Sequence, residues 1–224
     1  MDNRRVVELI NNIFNRINIA KSIEDIIKIE EEHLLKRIDT ESYPKIDFRI
    51  AKEDIDKLIA DNLINCLDFK LKLDVQSKID DPLTRLLYAL AWKNGDLHKI
   101  KHIIKGIYEI HNNNELPDEA IVFYQFGRYL TRTKSQPIID QHVIRAFAVY
   151  NSIKSNNNEI EIENFRKLDT LDKRNKETIK EYINWINSLC PELMNDPDYT
   201  YHIDKLLFFL GKTIKLKKTI KQLI

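Results

Sequence analysis

Apolar residues recur along most of the chain with the 3.6-residue period of an α-helix. The first such stripe predicts a helix over residues 3–20 and consists of Val6, Val7, Ile10, Ile13 and Ile17. A second helix is predicted over 22–37, because Ser22 is a good N-cap and acidic residues follow it. Residues 39–50 break the period and predict a loop with a short extended piece. Residues 51–73 return to a helical pattern, although the alternation in DFKLKLDV also fits a strand.

Turn residues mark the predicted helix boundaries more sharply from residue 80 onward. One helix starts at Pro82 and ends before Gly95, which can adopt a left-handed conformation. The segment 140–150 is apolar nearly all round, so we expect this helix at the centre of the fold. The segment 154–164 is rich in Asn and charge and is predicted to be a linker. Other helices are predicted over 96–110, 116–133, 179–189 and 199–224.

Composition supports a mainly helical protein. The 224 residues include only 4 Gly and 6 Pro, too few turn residues for an all-β fold. With 43% hydrophobic and 32% charged residues, the composition excludes a disordered tail and a membrane protein. We therefore predict an all-α fold in which one compact unit has two helical lobes with a cleft between them. Lobe A would be about 80–150, and lobe B would combine about 1–79 with 160–224.

Signals for targeting and membrane insertion are missing from the sequence. The first residues, MDNRRVVELINNIF, contain no apolar core of a secretory signal. The longest apolar run, 86–92, is far shorter than the ~20 residues of a membrane-spanning helix. We expect a cytoplasmic monomer with reduced thiols at Cys66 and Cys190 and no membrane association.

Metal and nucleotide motifs are also lacking. His98 and His102 lie four residues apart on a predicted helix, but Lys99 stands where zinc hydrolases with this spacing carry a Glu. Lysines flank both histidines and oppose a cation, so we expect no metal site. The 4 glycines form no phosphate-binding loop, and we expect no cofactor.

The local distribution of charge is more informative than the net charge of +1. Six lysines and no acid follow residue 204, and the region 121–150 carries four basic residues and one acid. Such asymmetry is typical of a surface that binds a phosphate backbone, although a lysine-rich solvated helix also fits the C-terminal run. The predicted contacts with double-stranded DNA are Arg128, Arg132, Lys134, Arg145, Lys205 and Lys212.

The single acid of the 121–150 region, Asp140, lies in the string QPIIDQHVIR at the entrance to the predicted central helix. Asp is a favoured N-cap, so one interpretation of this residue is purely structural. A helix N-terminus also keeps a carboxylate ionised at neutral pH. The capping role and a catalytic role are therefore compatible.

The string PIIDQHVIR resembles the Pro/Gly loop and catalytic aspartate of the helix-hairpin-helix DNA glycosylase superfamily, in which the pattern is roughly Pro-x-Val-Asp-x-His-Val-x-Arg. Leu116-Pro117 and Phe126-Gly127 fall near the Leu-Pro-Gly-Val-Gly and later Phe-Gly of that family, and 201–212 resembles the closing helix of 8-oxoguanine glycosylase-like members. The resemblance covers about 80–150 and the C-terminal helix. It implies that Asp140 is the catalytic carboxylate for the N-glycosidic bond of a flipped base.

Two departures from the family pattern qualify this resemblance. Asp118-Glu119-Ala120 stands where the Gly-rich hairpin would bind DNA phosphates, so other residues would have to hold the duplex. Val122 occupies the position of the nucleophilic lysine, 18 residues before the aspartate, found in bifunctional members. The resemblance therefore implies a monofunctional enzyme without a lyase step.

A flipped base must be held by stacking and by hydrogen bonds to its edge. The candidate substrate contacts are Trp92, Tyr124, Gln125 and His142. Each of these side chains also fits a packing role. The alternatives to an enzyme are a non-catalytic DNA-binding module in which Asp140 is only a helix cap, and a helical protein-interaction or toxin–antitoxin-type factor. The excised base, and a role in repair or in defence against phage, are open at this point.

Overall fold

The computed structural model describes residues 1–34, 43, 45–111, 115–133, 136–155, 159–189, 192–193 and 196–216. These residues form an all-α fold, as predicted. Within them a single antiparallel bridge, between Ile64 and Leu71, is the only β-type pairing, and no helix is long and apolar enough to cross a bilayer. The helices are α1 (Asn3–Ile19), α2 (Ile23–Leu34), α3 (Lys52–Ala60), α4 (Pro82–Lys93), α5 (Ile100–Tyr108), α6 (Ile121–Leu130), α7 (Gln141–Lys154), α8 (Glu159–Arg166), α9 (Lys176–Leu189) and α10 (Pro197–Ile214).

The chain divides into two compact units. The terminal unit comprises Met1–Lys45 and Pro137–Ile224, and the middle unit comprises Ile46–Gln136. The sequence prediction had grouped the segment 80–150 as one lobe. In the structure that segment is shared between the two units, because α7 packs with the helices near both ends of the chain.

Helix α7 is the centre of the terminal unit, as its apolar character predicts. Its residues 143–150 are all buried, and it packs against α1, α8, α9 and α10. Aromatic rings fill the space between α1, α7 and α9, with Phe14 stacked on Tyr150 at a centroid separation of 4.0 Å. Such ring pairs add to the stabilisation from apolar burial. The other rings of this cluster are Phe147, Tyr182 and Trp185.

Two buried arginines close the last turn of α10. Arg145 donates from Nη1 to the carbonyl of Gly211 at 2.9 Å, and Arg166 donates from Nε to the carbonyl of Ile214 at 2.9 Å. The last four carbonyls of a helix have no partner within the helix, and cations are favoured at its negative end. The two side chains therefore satisfy polar groups that would otherwise be buried unpaired.

Gly211 allows α10 to approach the first turn of α7 closely. A Cβ atom on Gly211 would lie 1.9 Å from the carbonyl oxygen of His142, a separation that real Cβ contacts do not reach. A side chain at residue 211 would therefore push apart the two helices at the point where Asp140 enters α7.

In the middle unit, α5 and α6 cross closely over two glycines. A Cβ on Gly106 would lie 2.0 Å from the carbonyl oxygen of Tyr124, and a Cβ on Gly127 would lie 2.0 Å from that of Ile103. The core beneath this crossing contains Ile55, Ile64, Ile104 and Ile107.

Several predicted boundaries differ from those of the structure. The helix predicted over 51–73 ends at Ala60, because Asn62 adopts a left-handed conformation with φ 57° that cannot continue it. The alternation of DFKLKLDV corresponds there to the Ile64–Leu71 bridge. The predicted linker 154–164 includes most of α8, since Ile162 and Arg166 are buried. Cys190 and the end of the last predicted helix, 217–224, lie outside the described residues.

We predict that Gly211→Ala destabilises the protein by about 1–3 kcal/mol, the usual cost of overpacking, although Ala is the better helix former by about 1 kcal/mol. The measurement is the free energy of unfolding in urea. The exposed neighbour provides the control, because Lys212→Ala should change stability by less than about 0.5 kcal/mol. Equal stability of the Gly211→Ala variant and the parent protein would contradict the close crossing.

Candidate functional site

Asp140 is the N-cap of α7, as one sequence interpretation predicted. Its backbone is extended, with φ −130° and ψ 155°, and its Oδ1 accepts a hydrogen bond from the backbone N–H of His142 at 2.6 Å. The carboxylate is half-buried. Among the described residues, Oδ2 accepts no hydrogen bond. Asp140 thus presents one bound and one unbound oxygen at the positive end of a 14-residue helix.

The loop before Asp140 is held by a second, fully buried acid. Asp204 of α10 is 0% exposed, and its Oδ2 accepts a hydrogen bond from the backbone N–H of Ile138 at 2.6 Å. Its Oδ1 accepts a hydrogen bond from the hydroxyl of Tyr182 at 2.5 Å. Burial raises the pKa of Asp204 well above its ordinary value, and the two hydrogen bonds oppose that shift. Asp204 therefore fixes the chain two residues before Asp140.

His142 lies in the first turn of α7 beside Asp140. Arg145 Nη1 lies 2.5 Å from Nδ1 of His142. Because a guanidinium only donates hydrogen bonds, Nδ1 is the acceptor, and the proton of the neutral ring lies on Nε2. Burial lowers the pKa of His142, Asp140 opposes this shift, and Arg145, Lys215 and Lys212 add to it. The structure thus places Asp140, His142, Arg145 and Lys212 in one neighbourhood of the terminal unit.

Three arginines predicted to contact DNA are used inside the protein. Arg145 is 0% exposed and donates to the carbonyls of Gly211 and Leu168. Arg128 is 4% exposed and donates to the carbonyl of Ile110 at 3.5 Å. We therefore remove Arg145 and Arg128 from the predicted DNA contacts, since a guanidinium buried inside the protein cannot reach a phosphate.

Arg132 is constrained in a similar way. Its backbone is left-handed with φ 52°, its guanidinium donates to the carbonyl of Ile46 and lies 3.5 Å from Asp47, and 12% of its side chain is exposed. Arg132 is therefore engaged within the middle unit and not free for DNA.

The predicted lysines differ in their availability. Lys205 is paired with the buried Glu30 at 2.9 Å, and only 16% of its side chain is exposed. Lys212 is exposed, and within the described part of the chain it forms no ion pair. Lys134 lies outside the described residues. Lys212 is thus the predicted DNA contact that the structure leaves accessible.

The candidate substrate contacts are divided between the units. Tyr124 and Gln125 are buried in α6 of the middle unit, where the Tyr124 hydroxyl donates to Glu109 at 3.2 Å and Gln125 Nε2 donates to Gln136 at 3.1 Å. Trp92, also in the middle unit, is 66% exposed at the end of α4. His142 alone of the four belongs to the same unit as Asp140.

Asp204 and Gly211 are the residues of this site that the sequence interpretation missed. Both lie in α10, where Asp204 is the single acid within the apolar stretch 203–214. A lone acid on an apolar helix usually has a buried partner, so this position carried a usable signal.

No group of three His, Cys, Asp or Glu side chains among the described residues could hold a metal ion. The chain matches no protein-family model, no curated protein and no solved structure.

We predict that the buried Asp204 makes stability depend on pH. The folded state favours the neutral carboxyl of Asp204. The contribution of Asp204 to the free energy of unfolding is therefore complete below the ordinary pKa of 3.8 and is lost as the pH rises through the raised pKa of the folded state. Asp204→Asn keeps an acceptor for Ile138 and removes this titration. The free energy of unfolding of the parent protein, measured in urea from about pH 4 to about pH 8, should therefore fall relative to that of the variant. Parallel pH profiles would contradict the assignment.

Proposed function

We propose that this protein is a monofunctional DNA glycosylase-like enzyme that hydrolyses the N-glycosidic bond of a damaged or modified base. The observation that carries the proposal is the half-buried Asp140 carboxylate at the N-terminus of the central helix, with one oxygen held by His142 N–H and cationic groups nearby. The resemblance of PIIDQHVIR to the glycosylase motif supports the same role.

The proposed reaction requires a fixed negative charge beside the sugar. As the bond between C1′ and the base nitrogen breaks, its electron pair leaves with the base, and positive charge develops on the sugar ring. The Asp140 carboxylate favours this transition state over the ground state. A water molecule adds to C1′ and gives up one proton to Asp140, which then releases it to solvent, and the departing base takes up one proton from solvent. No covalent enzyme intermediate is required.

A helix cap is an efficient way to hold this carboxylate. The hydrogen bond from His142 N–H fixes Oδ1, and the positive end of α7 lies beside the carboxylate. The neutral His142 ring, with its proton on Nε2, provides a donor for a phosphate or a base edge. The carboxylate that reacts is therefore held by backbone, and His142 Nε2 and Lys212 are the neighbouring groups that would contact DNA.

The contact with DNA would come from the exposed lysines of the terminal unit. Lys212 lies close enough to His142 to lower its pKa and is not paired with an acid among the described residues. Lys215 is similarly placed but lies 2.7 Å from Asp169. Such cations attract a phosphate backbone to the side of the molecule that carries Asp140.

The N-cap hydrogen bond also favours a second candidate, a DNA-binding module without catalysis. In that case Asp140 contributes only about 1 kcal/mol of helix stability. The enzyme should release bases and lose that release when a neutral cap of the same shape replaces Asp140. The non-catalytic module should release no base with either cap.

We predict that Asp140→Asn abolishes base release while the protein remains folded. Asn caps a helix about as well as Asp, so the free energy of unfolding should change by less than about 0.5 kcal/mol. The rate of nucleobase release should fall about 10²–10⁴-fold, because Asn cannot act as the general base for the attacking water. The measurement is mass spectrometry of free bases released from panels of damaged and phage-modified duplexes.

The control for this substitution is Gln141→Ala, which changes the adjacent helix position and should release bases at the parent rate. Base release by the parent but equally by Asp140→Asn would remove Asp140 from the mechanism. Duplex binding without base release by any variant would favour the non-catalytic module.

We predict that Lys212→Gln weakens binding to all duplexes and lowers the slope of log K against log salt by about 0.9, the value for one phosphate contact. The measurement is fluorescence anisotropy of a labelled duplex over a range of salt concentrations. Lys28→Gln, which changes an exposed lysine of α2, is the matched control and should leave the slope unchanged. Identical slopes for the Lys212→Gln variant and the parent would exclude Lys212 from the interface.

A further inference from the structure

Trp92 presents an exposed indole ring in the middle unit. It lies in the last turn of α4, a helix in which no residue is buried, and 66% of it is accessible. Within the described part of the chain its ring contacts no other aromatic ring and its Nε1 forms no hydrogen bond. Trp is among the most buried residue types on average, so a free indole face points to a ligand that can cover it.

The ring borders a concave groove of about 360 Å³ between α4, the start of α5 and the segment around the Ile64–Leu71 bridge. This volume is at the small end of the range for small-molecule pockets. Gln76 and Tyr88 contribute polar groups to its wall and are joined by a hydrogen bond of 3.2 Å. The aromatic and basic side chains that line the groove are Lys70, Lys72, Tyr88, Trp92, His98 and Lys101.

The groove has an excess of positive charge. Lys70 is paired with Asp68 at 2.7 Å. Lys72 and Lys101 form no ion pair among the described residues. The pKa of Asp68 is lowered first by its hydrogen bond from Lys70, and the nearby charge of Lys101 adds to this shift. Two lysines beside an open aromatic ring therefore have no acidic partner of their own.

We propose that this groove binds single-stranded DNA, with an unpaired base stacked on Trp92 and the adjoining phosphates at Lys72 and Lys101. Aromatic rings that stack on bases within a positively charged groove are the usual basis of single-strand recognition. A duplex keeps its bases stacked on one another and does not offer a face to Trp92. The inference goes beyond the proposed hydrolysis, because it involves neither Asp140 nor the terminal unit.

The shape and charge of the groove favour DNA over a membrane surface. A membrane-surface helix carries a strongly charged polar face opposite its apolar one. Helix α4 has only Arg85 and Lys93 as charged residues, and the lysines of the groove come from neighbouring segments. A concave site suits a single aromatic ring better than a planar bilayer.

The test is binding of a fluorescein-labelled oligothymidylate to the full chain, measured by anisotropy. Trp92→Ala should weaken binding about 5- to 150-fold, the range for loss of one base–aromatic stack, and Trp92→Phe should restore most of the affinity. The double variant Lys72→Ala/Lys101→Ala should lower the slope of log K against log salt by about 1.4, which corresponds to two single-strand phosphate contacts. Circular dichroism and unfolding in urea establish that each variant is folded.

The controls change an exposed apolar residue and an exposed lysine outside the groove. Leu90→Ala removes another exposed apolar side chain of α4, and Lys57→Ala removes an exposed lysine of the middle unit. Both should bind as the parent does, and Asp140→Asn should also bind the oligonucleotide with unchanged affinity.

Equal affinities of the parent and Trp92→Ala, or failure of the parent to bind the oligonucleotide, would overturn the proposal. It would also be overturned if vesicles containing anionic lipid competed with the oligonucleotide and bound the parent more tightly than the Trp92→Ala variant. Failure of the parent protein to release any base, while it still binds the oligonucleotide through Trp92, would contradict only the proposed catalysis, so the two proposals fail separately.

Discussion

The contact between the end of α10 and the start of α7 determines the geometry of the candidate site. Gly211 brings the two helices together at the carbonyl of His142, and Arg145 donates to the carbonyl of Gly211. Asp204, two turns earlier in α10, holds Ile138 in the loop that leads to Asp140. Each of these contacts satisfies a buried polar group or removes a steric conflict. The position of one carboxylate therefore depends on the packing of a helix more than 60 residues later in the chain.

The arginines show why charge in a sequence does not translate directly into a charged surface. Residues 121–150 contain an excess of basic residues, yet Arg145 donates to a carbonyl that α10 leaves unpaired in its last turn, and the buried Arg128 donates to the carbonyl of Ile110. Five N–H donors make Arg well suited to this role. Lysine, with its strongly hydrated point charge, is found more often at the surface. Among the predicted DNA contacts that the structure describes, the accessible one is accordingly a lysine, Lys212.

The candidate site was predictable from the sequence to different degrees. Asp140 was identified as a helix cap because an acid directly before an apolar helix is a local signal, and the structure confirms that cap. The functions of Asp140, His142 and the candidate DNA contacts remain predictions. Asp204 was missed because its partners, Ile138 and Tyr182, are 66 and 22 residues away. Tyr124 and Gln125 were chosen because they neighbour Val122, the position of the nucleophilic lysine in bifunctional glycosylases, whereas α6 belongs to the other unit.

The sequence by itself determined most of the helices and the central position of α7, because hydrophobic periodicity and capping residues act over a few residues. Only the tertiary structure decided which helices form each unit and which side chains are buried. It placed the segment 137–150 with both ends of the chain, used arginines as internal donors and left Trp92 exposed. These outcomes depend on contacts between residues far apart in sequence, where the close approach of backbones and the pairing of buried polar groups select one arrangement.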